Sequence, residues 1–316
     1  MVNIEQEIAK LDWKREPKGL YEPIGYTLES GGKRLRPQLA ILASEAFGGK
    51  DEDVLPAALA LEVFHNFTLL HDDVMDRADV RRGRPTVHVR WNDNTAILSG
   101  DQMLIEAYKL LSRVPADKLP EVLRLFNKMG TEICEGQQYD VDFEAKQDTT
   151  IDDYLMMIRR KTSVLLATAL QIGAYIAGAD AQAQDALYQY GINLGLAFQI
   201  QDDIFDWGGA PATFGKAIGG DITCNKKTYV LLTALHTADP STRLELEHWL
   251  HAVHAPKEDK ILAVTGLYNR LGIRQVCEEV VEQYTRKALD CLQDLPSNNA
   301  TQALRTLAEK LIKRRK

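Results

Sequence analysis

Two aspartate clusters share one internal spacing: Asp72, Asp73 and Asp76 in DDVMD, and Asp202, Asp203 and Asp206 in DDIFD. On a helix this spacing sets the first and last carboxylate of each cluster one turn apart on one face. Like charges so related cost an isolated helix about 0.2–0.5 kcal/mol, and at a helix C-terminus they also oppose the macrodipole. A bound cation removes both penalties. For either cluster alone, a solvated acidic helix end explains the pattern equally well. The repetition, and the apolar Phe198, Ile200, Ile204 and Phe205 around the second copy, favour a metal. Carboxylate oxygens on a rigid face suit magnesium, which keeps waters and bridges the phosphates of a substrate. The alternating loop ligands and glycine turn of an EF-hand are missing, so calcium fits less well.

Positive charge gathers at short glycine-flanked turns. Gly31-Gly32-Lys33-Arg34-Leu35-Arg36-Pro37 is one, and Arg81-Arg82-Gly83-Arg84-Pro85, just past Asp76, is another. Lys161-Thr162-Ser163 opens an apolar run, while Lys216, Lys226 and Lys227 flank Gly219-Gly220-Asp221 beyond the second aspartate cluster. Lysine offers phosphate oxygens a point charge and arginine a bidentate fork. Taken singly, any of these is an ordinary solvated charge, which is the better reading of Arg34, Arg84 and Lys227. Together they supply cations for two polyphosphate groups, one bridged by metal and one held directly by Lys and Arg.

Helices must position these groups. Leu59, Val63, Phe67, Leu70 and Val74 recur at helical steps between Pro56 and Met75, with Pro56 tolerated in the first turn and the first aspartate cluster at the end. Further helices are predicted over 95–111, 120–134, 151–177, 183–205, 226–237, 241–254 and 260–291. Breakers separate them at Gly83-Arg84-Pro85, Gly178, 208–211, Gly219-Gly220 and Pro256. No alternating strand pattern, fixed-period repeat or low-complexity linker divides the chain. The expected fold is all-α, one helical bundle forming a single domain over residues 1–316, with an apolar pocket between helices able to house a hydrocarbon tail.

Composition narrows the function. With 316 residues, 45% of them hydrophobic, the chain can bury a large core, which excludes disorder. A net charge of −7 argues against a nucleic-acid partner, so any phosphate binding is local. Cys134, Cys224, Cys277 and Cys291 lack metal-ligand spacing and fit free thiols in a reducing compartment, so a cytoplasmic protein is expected. Residues 1–15 lack the basic and apolar regions of a signal peptide. The longest charge-free apolar run, 164–179, falls short of the ~20 residues of a membrane span, so it is expected to be a buried core helix and no span is expected.

Taken in order, GGKRLRP (31–37), HNFTLLHDDVMD (65–76), RRGRPTVH (81–88), GQQYD (136–140), RKTSVL (160–165), FQIQDDIFD (198–206), FGKAIGGD (214–221) and NKKT (225–228) resemble the trans-type isoprenyl diphosphate synthases. This is the family of farnesyl and geranylgeranyl diphosphate synthases, and the resemblance covers nearly the whole chain. It implies an all-α bundle around a central active-site cavity, in a homodimer. It also implies three magnesium ions per site, with Mn2+ able to serve, on Asp72, Asp73, Asp76, Asp202, Asp203 and Asp206. By the same resemblance Arg81, Lys161, Lys216 and Lys226 hold an allylic diphosphate, and Lys33, Arg36, His65 and Arg82 hold isopentenyl diphosphate. Gln199 and Thr162 stand beside the allylic cation. His65 lies two helical turns before Asp72 on the same face; a satisfied core histidine is the competing reading. Ala217, before Ile218-Gly219-Gly220, matches the spacing of bacterial rather than animal members.

The implied chemistry needs no protein nucleophile, and the sequence offers no Ser/His/Asp or Cys/His set. The allylic C–O bond ionises, the double bond of isopentenyl diphosphate attacks, and the departing diphosphate takes the proton. A terpene cyclase is the chemical rival, but it binds one diphosphate and carries an Asn/Ser/Glu motif in place of the second aspartate cluster. A noncatalytic synthase subunit should have lost aspartates. Product length turns on Phe64, Phe67 and Thr68, before the first cluster. At about 100° and 1.5 Å per residue, the helical wheel favours Phe64 as the pocket floor, whereas the family resemblance favours Phe67. A small Thr68 leaves room for one more unit, so geranylgeranyl diphosphate is expected over farnesyl diphosphate.

Overall fold

The computed structural model describes residues 2–208, 219–252 and 254–313, and helical periodicity governs nearly all of them. Helices α1 to α6 span Ile4–Ala9, Lys18–Leu28, Leu35–Ala46, Asp51–Met75, Val87–Arg90 and Asp93–Leu111. Helices α7 to α10 span Leu119–Ala145, Ile151–Ile158, Val164–Ile176 and Ala181–Gly208. Helices α11 to α16 span Gly220–Thr223, Tyr229–Thr237, Pro240–His251, Lys257–Arg270, Ile273–Asp290 and Asn299–Lys313. The single strand pair among the described residues is the hairpin of β1, Val80–Arg81, and β2, Arg84–Pro85, closed by Gly83.

Local chemistry explains most boundaries. Asn92 caps α6 by accepting from Thr95 N at 2.8 Å, and Thr150 and Asp153 form a reciprocal capping box on α8. Asp239 caps α13, with Pro240 in its first turn. Three departures from the sequence reading have physical causes. The helix expected to stop at 134 continues to Ala145, because nothing from 135 to 145 breaks it. The helix expected over 151–177 is interrupted by a π-helical turn, Arg159–Ser163. The helix expected over 260–291 is two, because Gly272 adopts φ 66° and ends the first. Helices α1, α5, α11 and α16 lie outside the predicted spans, and α2 and α3 flank the basic turn at 31–37.

The described chain forms two compact units. The first comprises residues 1–129, 165–188 and 292–304. Here α4 packs against α3 and α6 around Leu61, Phe64, Met103 and Phe126, all buried. Helix α9 is buried along its length, as its unbroken apolar run predicts. Among the described helices only α4 is long and apolar enough to cross a membrane, and 61% of that window is buried inside the protein. The second unit comprises residues 130–164, 189–291 and 305–316. In it α12 packs on α8 and α15, and α14 on α11, α13 and α15, around Tyr154, Tyr190, Ile204 and Leu267. All four cysteines are free.

Candidate active site

In the first unit, α4 delivers its carboxylates at its last turn, with Asp76 at the C-cap. Asp73 is buried, whereas Asp72 is half-buried and Asp76 exposed. The hairpin that follows turns Arg81 back, so that its Nε lies 2.7 Å from Asp73 Oδ1 and 2.9 Å from Oδ2. Arg82 takes a left-handed conformation, φ 53°, and its guanidinium donates to the Gly31 carbonyl and, at 3.2 Å, to Ser30 Oγ. The two glycine-flanked basic turns are thereby joined. Two helical turns before Asp72, the His65 imidazole is held well below its usual pKa by burial and by the positive charge of Arg36, Arg82, Arg81 and Arg34. The charge of both basic turns thus acts on one imidazole, which in an acidic protein favours an anion beside it. Lys33, in the first of these turns, is exposed.

Arg34 corrects the sequence reading. It is only 4% exposed, in a left-handed conformation, and pairs with Glu62 at 2.8 Å inside the unit and with Glu5 at 2.8 Å. Its guanidinium also donates to the Leu28 carbonyl. Arg34 therefore fixes the backbone between Lys33 and Arg36. Lys227 likewise is no freely solvated charge, since its ammonium donates to the carbonyls of Phe143, at 2.6 Å, and Lys146. Arg84 stacks 4.0 Å over the Tyr26 ring.

In the second unit, Asp203 is the hub. Its Oδ2 accepts from the Tyr154 hydroxyl at 2.5 Å and from the Tyr229 amide at 3.0 Å, and its Oδ1 accepts from Gln199 Nε2 at 3.2 Å. Burial, with Asp221 nearby, pushes this carboxyl up to about 7. Gln199 Oε1 accepts in turn from the Thr162 hydroxyl at 3.3 Å. Thr162 sits in the π-helical turn, where the widened backbone leaves the regular ladder. Two glycines let neighbours reach that turn: a Cβ on Gly136 would lie 2.4 Å from Lys161 N, and one on Gly195 would lie 2.5 Å from Ser163 Cα. Asp206 caps α11, its Oδ2 accepting from Asp221 N at 2.9 Å. Asp202 is half-buried on α10, and Lys216 lies outside the described residues.

Asp140 is the site residue that spacing alone did not single out. Its Oδ2 lies 2.6 Å from Lys161 Nζ and 3.7 Å from Lys226 Nζ, so one carboxylate gathers two cations from distant parts of the chain. Burial opposes its ionisation, but Lys226 and Lys161 outweigh this and hold its carboxyl below the usual value. The signal was present as the last residue of GQQYD, once the helix is seen to continue past 134. Tyr154 carried no signal at all.

The donors in both clusters are carboxylate oxygens, which fit a hard cation. Among the described residues no three His, Cys, Asp or Glu side chains are grouped closely enough to cage a metal. Such sites suit magnesium that retains waters and takes substrate phosphate oxygens as its remaining ligands. The carboxylates of Asp72, Asp73 and Asp76 on α4, and those of Asp202, Asp203 and Asp206 on α10, are the groups that would hold it, and Asp73, Asp203 and Asp206 also accept from protein donors.

A family model described as polyprenyl synthetase matches residues 17–267. A geranylgeranyl diphosphate synthase from Methanosarcina mazei is 38% identical over 296 residues, 93% of this chain and 90% of the relative. A geranylfarnesyl diphosphate synthase from Natronomonas pharaonis is 37% identical over 318 residues, covering 95% of this chain and 91% of the relative. A crystal structure of a geranylgeranyl pyrophosphate synthase superposes with a TM-score of 0.93 at 42% identity, covering 100% of both chains.

Proposed function

Because this chain belongs to the polyprenyl synthetase family, we propose that it joins isopentenyl diphosphate head-to-tail to an allylic diphosphate and builds the all-trans geranylgeranyl product. The protein is a trans-prenyltransferase with the all-α fold of that family. The observation that carries the reading is the joining of the two basic turns, where the Arg82 guanidinium donates to the Gly31 carbonyl and to Ser30 Oγ, in a chain of net charge −7. In this reading Lys33, Arg36, His65 and Arg82 hold isopentenyl diphosphate. Arg81, Lys161 and Lys226, with Lys216, hold the allylic diphosphate.

Magnesium, held by Asp72, Asp73 and Asp76 and by Asp202, Asp203 and Asp206, would neutralise charge growing on the leaving diphosphate. The protein's own residues do the rest. Arg81, Lys161 and Lys226 offer fixed cations to the same charge, and Asp73 and Asp140 keep them in place. The Gln199 side-chain oxygen and the Thr162 carbonyl and hydroxyl present dipoles of low nucleophilicity to the allylic cation. Asp203 and Tyr154 orient Gln199 from behind. No side chain is needed to accept the proton, which passes to the released diphosphate.

Product length is read from the aromatic cluster before the first aspartates. Phe64 is 3% exposed and lies edge-on to Phe67 and Phe126, with centroids 5.4 and 5.1 Å away. Phe67 is half-buried, which supports Phe67 as the floor and Phe64 as its backing. The C20 product is favoured, although a relative at 37% identity is named a geranylfarnesyl diphosphate synthase. Exposed Ile97, Leu98, Ile105 and Tyr108 on one side of α6 support a homodimer. The reading is tested by incubating the purified chain with magnesium, isopentenyl diphosphate and dimethylallyl, geranyl or farnesyl diphosphate, then sizing the dephosphorylated products. Linear C20 alcohol is expected. A cyclised hydrocarbon, or no product from any primer, would overturn it.

A further inference from the structure

Lys260 on α14 is 6% exposed, yet it lies outside every motif and belongs to no ion pair among the described residues. A buried ammonium with a neutral partner is costly, so its surroundings call for an explanation. Its Nζ donates to Asn225 Oδ1 at 2.6 Å. Burial lowers its pKa. Asn225 adopts φ 55°, a left-handed conformation that asparagine tolerates better than most non-glycine residues. Both ends of its amide are held, for Nδ2 donates to the Leu250 carbonyl of α13 at 2.8 Å. The next residue is Lys226, whose amide donates to the Asp221 carbonyl at 2.9 Å and whose ammonium shares Asp140 with Lys161.

The residue after Lys260 grips the same segment at its other end. A Cβ on Gly219 would come within 2.8 Å of the Ile261 side chain, so α14 is packed closely against the start of α11. Consecutive residues of one helix thus fix both ends of 219–225, a stretch with no sheet or long helix to stiffen it. We propose that Lys260 is a positioning residue for the reaction, acting through Asn225 to set the backbone that aims Lys226 at the allylic diphosphate. The proposal rests on the reading of Lys226 given above. Its ammonium suits the task because it brings a strong donor to the half-buried amide oxygen of Asn225 on a long, flexible stem.

The test compares Lys260→Met, Asn225→Ala, Lys226→Met and the double variant Lys226→Met/Lys260→Met. Lys260→Met and Asn225→Ala should each lower kcat about tenfold or more, as misplacing a reacting contact does, with KM for isopentenyl diphosphate unchanged. If Lys260 acts through Lys226, the double variant should be no slower than Lys226→Met alone. Multiplying losses in the double variant, or wild-type kcat in both Lys260→Met and Asn225→Ala, would overturn the proposal while leaving the function standing. Normal kcat in Lys226→Met would instead count against the underlying site. Should Lys260→Met fail to fold, Asn225→Ala breaks the same link from the exchangeable side, and Lys226→Met/Asn225→Ala replaces the double variant.

Discussion

Nε and Nη2 of Arg81 both lie 2.7 Å from Oδ1 of Asp73. One carboxylate of the first cluster is thereby held against an arginine eight residues further along the chain. In the second cluster Asp203 is likewise held, its oxygens accepting from Tyr154, Tyr229 and Gln199.

Asp72→Ala and Asp202→Ala should each cut turnover by orders of magnitude with an unchanged helical spectrum, since removing a repelling charge does not harm the helix. Asp73→Asn should behave otherwise. It loosens Arg81 inside the unit and should cost about 1–3 kcal/mol of stability along with part of the activity. Denaturant melts and steady-state rates measured on the three variants check this split; equal stability losses in all three would contradict it.

The two phosphate pockets should separate kinetically. Lys33→Ala and Arg36→Ala should chiefly raise KM for isopentenyl diphosphate, whereas Arg81→Ala and Lys161→Ala should chiefly lower kcat, because in the proposed reaction they would hold the group on which charge develops. Equal effects on both parameters from all four variants would count against the assignment.

His65 gives the protein a pH dependence. Its folded-state pKa lies below the 6.5 of a free imidazole, so the unfolded chain binds that proton more tightly. Its contribution to stability is therefore full above about 6.5 and declines as pH falls below it. Denaturant titrations at pH 7.5 and 5.5 should show a smaller loss in His65→Gln than in the wild type. An identical loss would place His65 in ordinary solvent.

Phe67→Ala should lengthen the product beyond C20. Phe64→Ala, emptying a buried site between two rings, should cost about 3–5 kcal/mol and leave the main product unchanged. Sizing the products of both variants decides between the two floors. If only Phe64→Ala lengthens the chain, the helical wheel was the better guide.

Much of this was legible in the sequence, because it depended on local order. The period of Leu59, Val63, Phe67 and Leu70 set α4 and placed Asp72 and Asp76 at its end, as found. Unbroken apolar character from Val164 gave a buried helix. What escaped was decided between distant residues. Arg34 reads as one more surface arginine until Glu5 and Glu62 close on it. Asp140 gains meaning only beside Lys161 and Lys226, and Lys260 only beside Asn225. The break at Gly272 was missed because an isolated glycine in a helical pattern is often tolerated, and φ 66° is a property of the fold.

The central claim is that ionisation of the allylic diphosphate is coupled to attack by isopentenyl diphosphate. Its most direct test measures pyrophosphate release and incorporation of labelled isopentenyl diphosphate together, in the presence of magnesium and farnesyl diphosphate. The account predicts one pyrophosphate released per isopentenyl unit incorporated into a linear product, and negligible release when isopentenyl diphosphate is omitted. Rapid pyrophosphate release without isopentenyl diphosphate, accompanied by a cyclic or hydroxylated product, would contradict it.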